Sequence, residues 1–208
     1  VQGKTVREIA LEMPLTTRVF EEFKIDYCCH GDTPFDDACR NVGASPETVK
    51  EKIDGILDGS ANSDQESFSK MDLSDLVDHI LDKHHVYTRD EMSHLTPLMA
   101  KVASRHGDHY TYLLELKDLF QALCDDLEPH MMKEEMVLFP YIQKLEHSYS
   151  NHLNVAFPPF GTVQHPVNMM NIEHEEVGEL LVKMRRVTND YTLPAEACPS
   201  FTALYHRL

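Results

Sequence analysis

Residues 128–140 read EPHMMKEEMVLFP, and two of them decide what kind of fold can hold this stretch. His130 and Glu134 are four apart, so on a helix they stack on one face. That face is apolar, flanked by Leu127, Val137 and Tyr141. An imidazole and a carboxylate side by side in a core need a partner, because uncompensated charge there is costly. A bivalent metal satisfies both, and so does an ordinary core hydrogen bond. With 13 His and 35 Asp+Glu in 208 residues, one such pair arises by chance, so the pair alone decides nothing. Pro129, just before His130, lacks a backbone donor and predicts either a kink or a helix start.

Working outward, every long segment after Asp72 has helical periodicity and none alternates like a strand. Leu73, Val77, Ile80, Leu81, Thr88, Met92, Leu95 and Met99 form one stripe, which ends near His106-Gly107. A second runs Leu116, Leu123, Leu127, Val137, Tyr141. A third, after the loop FPPFGTVQHP, runs Val167, Met170, Val177, Leu181, Arg185. A fourth starts near Pro199 with Phe201, Leu204, Tyr205 and Leu208. Three long amphipathic helices and a short one predict an all-α antiparallel four-helix bundle, its last helix cut short at the end of the sequence. Within the third stripe NIEHEEVGELL places His174 inward, with Gly178 one turn on leaving a gap. HILDKHHVY sends in His84 or His85, and an α-helical wheel sets His84 nearer the stripe. Histidines from three helices plus a carboxylate are how carboxylate-bridged metal pairs are built into bundle cores. Imidazole and carboxylate donors without thiolate favour iron or manganese over a structural zinc.

The rest of the chain bounds the setting. It carries 19 Lys+Arg against 35 Asp+Glu, a formal charge of −16, which disfavours nucleic acid and anionic membrane as partners. No apolar run is long enough to span a bilayer. VQGKTVREIALEMP has no leader pattern, though the lack of an initiator Met suggests a trimmed chain. Five cysteines, at 28, 29, 39, 124 and 198, do not form a secreted disulfide framework and predict free thiols in a reducing cytoplasm. Thr5 to Phe23 reads as two short helices around Pro14, anchored by Ile9, Ala10, Val19, Phe20 and Phe23. A turn CCHGD follows, with Gly31 free to take positive φ, then short helices in TPFDDACRNVG and SPETVKEKIDGIL. Residues 58–70 are polar and aperiodic. The predicted organisation is a helical domain 1–58, a linker 59–70 and a bundle 71–208.

The motifs IDYCCHGD, HHVYTRDEM, KVASRHGD, HMMKEEMVLFP and IEHEEVGEL, in this order, resemble the repair-of-iron-centres family. The resemblance implies a small N-terminal domain with a vicinal Cys pair and a hemerythrin-like bundle. It also implies two non-haem iron ions, oxo- and carboxylate-bridged, with manganese or zinc as other occupants. Carried over, the metal ligands are His85, His130, Glu134 and His174, with His84 as runner-up to His85. The family's remaining H-x-x-x-E pair would fall beyond Leu208, and His206 matches no ligand position. Cys28 and Cys29 correspond to the family's vicinal pair, read as a redox or client-contact site. A packed thiol beside an exposed one remains open, and Asp26 and Asp32 nearby disfavour a low thiol pKa. Cys39, Cys124 and Cys198 read as structural.

The resemblance implies repair, under oxidative or nitrosative stress, of damaged iron–sulfur clusters in client proteins, by donation of iron. Two competing readings are a di-iron nitric oxide reductase and a hemerythrin-like protein that binds or senses dioxygen or nitric oxide. Whether the chain is an enzyme is left open. A homodimer through the small domain is implied by resemblance only.

Overall fold

A computed structural model describes residues 3–27, 30–59, 68, 71–154, 157–158 and 160–208. Cys28, Cys29 and nearly all of the expected linker 59–70 lie outside the described residues. The chain divides into two compact units, Val1–Met71 and Asp72–Leu208. Among the described residues every regular element is a helix, beside one isolated bridge between Thr5 and Pro34.

The small unit holds α1 (Val6–Glu12), α2 (Thr16–Glu22), α3 (Phe35–Asn41) and α4 (Pro46–Gly59). Thr5 and Glu8 form a reciprocal capping box that starts α1. Ile9, Val19 and Phe20 are buried with Val6, Ile25, Phe35, Cys39, Val49 and Ile53, while Ala10 and Phe23 pack half-buried at the edge. Gly31 corrects the expectation of a positive φ, since the positive-φ glycines are 3, 43 and 161. Its reason is space. A Cβ there would lie 2.3 Å from the Tyr27 carbonyl oxygen and 2.8 Å from Arg7 Cβ.

The larger unit is built of rods. The first is α5 (Leu73–His79), a π-helical turn π1 (Ile80–His85) and α6 (Val86–His106), continuous in the chain. The second is α7 (Tyr112–Lys133), a second such turn π2 (Glu134–Leu138) and α8 (Phe139–Ser150). α9 (Gln164–Val187) packs on α7, α10 (Pro199–Arg207) packs on α6, and α5 packs on α8. Pro129 lies inside α7, so of the two expectations the helix start is excluded. At one end, α6, α7, α9 and α10 close an apolar core around Met99, Leu113, Leu116, Met184, Phe201 and Leu204. At the other, Val77, Leu138, Phe139 and Met170 make a much smaller cluster.

The two π turns correct the helical wheel in the same way. In π1 the Val86 N–H reaches the Leu81 carbonyl, five residues back, so one extra residue is fitted into the turn. The inward position passes from His84 to His85. His85 is 6% exposed, whereas His84 is exposed with its ring edge-on to His79. In π2 the Phe139 N–H reaches the Glu134 carbonyl, and Val137 turns outward at 44% exposure while Leu138 and Phe139 are buried. Three other stripe positions also point out, among them Arg185 at the end of the third stripe. Leu73 lies in the first turn of α5, and Leu181 stands off the seam of α9. That seam runs Met170, Val177, Met184, seven residues apart, the spacing of rods that cross at a shallow angle.

Candidate metal centre

The two π turns and the facing stretch of α9 bring six titratable side chains together. π1 ends on His85; α7 carries His130 in its last turn; π2 opens on Glu134 and Glu135; α9 presents Glu173 and His174. His85 and His130 are buried, and Glu134 is largely so. His174, expected in the core stripe, is exposed, because it sits one step off the Met170–Val177–Met184 seam. It nevertheless points its Nε2 to 3.0 Å from His130 Nε2. The hollow is therefore closed on the α6–α7 side, while on the α9 side it is flanked by the largely buried Glu173 and the exposed His174.

Glu134 divides its two oxygens. Oε2 lies 3.1 Å from His85 Nε2, and Oε1 lies 3.6 Å from His130 Nε2. His130, Glu134 and His174 offer ligand atoms all within 4.8 Å of one another. Away from the hollow, His85 Nδ1 donates to Glu135 Oε1 at 2.7 Å and His130 Nδ1 donates to Glu173 Oε2 at 2.8 Å. A carboxylate only accepts, so each Nδ1 carries a proton and each Nε2 turns its lone pair inward unless a second proton joins it. Each carboxylate is backed by a cation, Arg89 on Glu135 and Lys133 on Glu173. The neighbouring Glu134 carboxylate first, then the hydrogen bond to Glu173, hold His130 above its usual pKa against the opposing effect of burial. Arg89, with a smaller contribution from His85, holds the Glu135 carboxyl below its usual range although burial acts the other way.

Two imidazole nitrogens face each other at 3.0 Å and a third faces a carboxylate oxygen. Only protons or cations between them make these approaches favourable. Three imidazoles and a divided carboxylate, without thiolate, suit iron, and each Nδ1 partner is the outer support that metal-bound histidines use. The sequence expectation of His85, His130, Glu134 and His174 thus falls on four side chains that the fold brings together. The supporting residues Glu135, Glu173, Arg89 and Lys133 were not anticipated. Their signal was present in the doubled acids of KEEM and in IEHEE, but it needed the pairing of the rods. In the small unit, Asp32 accepts from Arg7 at 3.0 Å and Asp26 lies 2.8 Å from His30 Nδ1, so both acids beside Cys28 and Cys29 already have partners.

Comparison with known proteins bears on both units. Residues 2–56 match ScdA_N, a domain of unknown function (DUF542), and residues 76–207 match the hemerythrin HHE cation binding domain. The chain is 30% identical to the iron-sulfur cluster repair protein ScdA of Staphylococcus haemolyticus, over 98% of this chain and 86% of that protein. It is 26% identical to a probable iron-sulfur cluster repair protein of Haemophilus influenzae, over 95% and 83%. It is 29% identical to the iron-sulfur cluster repair protein YtfE of Escherichia coli, over 96% and 83%.

Proposed function

This chain belongs to the repair-of-iron-centres family, a ScdA_N domain followed by a hemerythrin HHE cation-binding domain, and on that premise we propose that it repairs damaged iron–sulfur clusters by donating iron held in the bundle. The observation that carries this reading is the division of Glu134. One oxygen faces His85 and the other faces His130, which itself meets His174, so these four side chains would hold iron with Glu134 shared between them. Bound there, iron supplies a ferrous–ferric couple and is itself the cargo.

The protein's own part is to hold and then let go. Nδ1 of His85 and of His130 is occupied by a carboxylate, which leaves Nε2 to face the hollow, where Glu134 and His174 meet it. The buried side of the hollow excludes water behind the imidazoles, and the exposed His174 gives the α9 side a way out. Rotation of Glu134 removes a contact to both groups at once, so one event loosens the whole cargo. The domain division follows the same logic: 71–208 stores iron, 59–70 links, and 1–58 presents Cys28 and Cys29 to the client iron–sulfur protein as a redox or docking pair. The reducing cytoplasm is where such a thiol pair stays free. Relatives named for cluster repair support repair over nitric oxide reduction or reversible gas binding.

The test is anaerobic loading with Fe(II), followed by mixing with a hydro-lyase whose [4Fe–4S] cluster has been damaged with peroxide. Iron should bind at His85, His130, Glu134 and His174, and client activity should return as iron leaves. His130→Ala and Glu134→Ala should lose both. A folded wild-type chain that takes up no iron, or keeps its iron while the client stays inactive, overturns the proposal.

A further inference from the structure

Glu134 and Glu135 are adjacent, and on an α-helix their side chains would leave the axis about 100° apart. Here they take opposite edges of one ring. Glu134 Oε2 lies 3.1 Å from His85 Nε2, and Glu135 Oε1 lies 2.7 Å from His85 Nδ1. Both belong to π2, where the widened turn brings neighbours to a common target. Behind Glu135 stands Arg89. Its Nη1 donates to Glu135 Oε1 at 2.7 Å and its Nη2 to Oε2 at 3.3 Å, while Nε donates to both oxygens of Glu128 at 3.1 and 3.2 Å. Arg89 follows His85 by one turn on the same rod, so the helix that carries the ring also carries the cation that fixes its carboxylate. The pattern recurs on His130, whose Nδ1 donates to Glu173 with Lys133 behind it.

We infer that Glu135, clamped by Arg89, is a positioning residue for His85: it keeps the proton on Nδ1 and fixes the plane of the ring so that Nε2 faces the hollow. The inference deepens the iron-site reading and rests on it for the purpose of that orientation. An imidazole left to itself exchanges its proton between both nitrogens and rotates about χ2. A ring with the proton on Nε2 offers no lone pair to a metal. The Arg89 fork holds the carboxylate by two nitrogens, which fixes its plane as well as its charge.

The experiment uses the 208-residue chain with two readouts. Long-range 1H–15N correlation spectra of the metal-free protein at alkaline pH report which nitrogen of His85 is protonated, and titration with Co(II) reports affinity. Wild type should show the proton on Nδ1. Glu135→Leu should return the ring to a mixture of tautomers and lose about 10–100-fold in Co(II) affinity. Glu135→Gln, whose amide oxygen still accepts, should keep the Nδ1 proton and lose less. Arg89→Met should fall between the two Glu135 variants in affinity. An unchanged Nδ1 signal and unchanged affinity in Glu135→Leu overturn the inference, as does a wild-type ring protonated on Nε2 alone. If Glu135→Leu fails to fold, failure of Glu135→Gln to keep the Nδ1 proton overturns it equally. A wild-type chain with no affinity for Co(II) sinks the iron reading instead, and the proton on His85 alone then judges the role of Glu135.

Discussion

The two ends of the larger unit are made by the same rods to opposite rules. At the α10 end, Met99, Leu113, Leu116, Met184, Phe201 and Leu204 leave almost no surface exposed, and among the described residues no Asp, Glu, Lys or Arg side chain is buried with them. At the π-turn end the buried apolar set shrinks to Val77, Leu138, Phe139 and Met170, and its place is taken by imidazoles and carboxylates. Hydrocarbon gains from burial without a partner, so the first end is stable by itself. Buried imidazoles and carboxylates are held only through the contacts they make, so the second end is built for occupancy rather than stability. Under the donation proposal, such a division would let an ion leave without unfolding the scaffold.

That contrast can be broken. The largest effect should come from Phe201→Ala. Truncating a fully buried aromatic at the apolar end should cost about 3–5 kcal/mol in urea unfolding, while iron per folded chain stays at the wild-type value. Next is the polar end. Fe(II) at a hundredfold excess over Kd should add about 2.7 kcal/mol to wild-type stability and nothing to His130→Ala; equal gains in both would remove the site from this hollow.

A smaller effect separates the small unit, whose core is apolar like the α10 end. Burial, helped by Asp36, pushes the Cys39 thiol from 9.0 to about 11. The folded state therefore holds its proton where the unfolded chain has lost it. Stability from this group is complete below pH 9 and falls as pH rises towards 11. Cys39→Ala should flatten that stretch of the pH–stability curve. The smallest effect is the sharpest. His84→Ala should leave metal content unchanged, whereas His85→Ala, one residue on, should remove it; the reverse result would return the site to the α-helical wheel.

Much of this was legible in advance because it is local. Apolar residues at helical spacing announced the rods, and HMMKEEM with IEHEE announced ligand chemistry of the right types in the right order. What escaped was non-local. The start of α5 is capped by Glu146 of α8, whose oxygens accept from the Leu73 and Ser74 N–H groups at 2.5 and 2.9 Å, a partner more than 70 residues away. Arg89, Glu128 and Glu135 read as solvated charges until α6 and α7 are laid side by side.

By itself the sequence determined the all-α class, the small unit with its apolar anchors, and a set of imidazole and carboxylate groups suited to iron. Only the tertiary structure overruled the helical wheel (which set His84 nearer the stripe than His85), turned Val137 out in favour of Leu138, and set Glu135 and Glu173 behind the two buried rings. The reason is that a π turn has poorer hydrogen-bond geometry than the α turn it replaces, and no local preference calls for it. It persists where the packing of neighbouring rods rewards one extra residue, and that reward is not present until the rods have met.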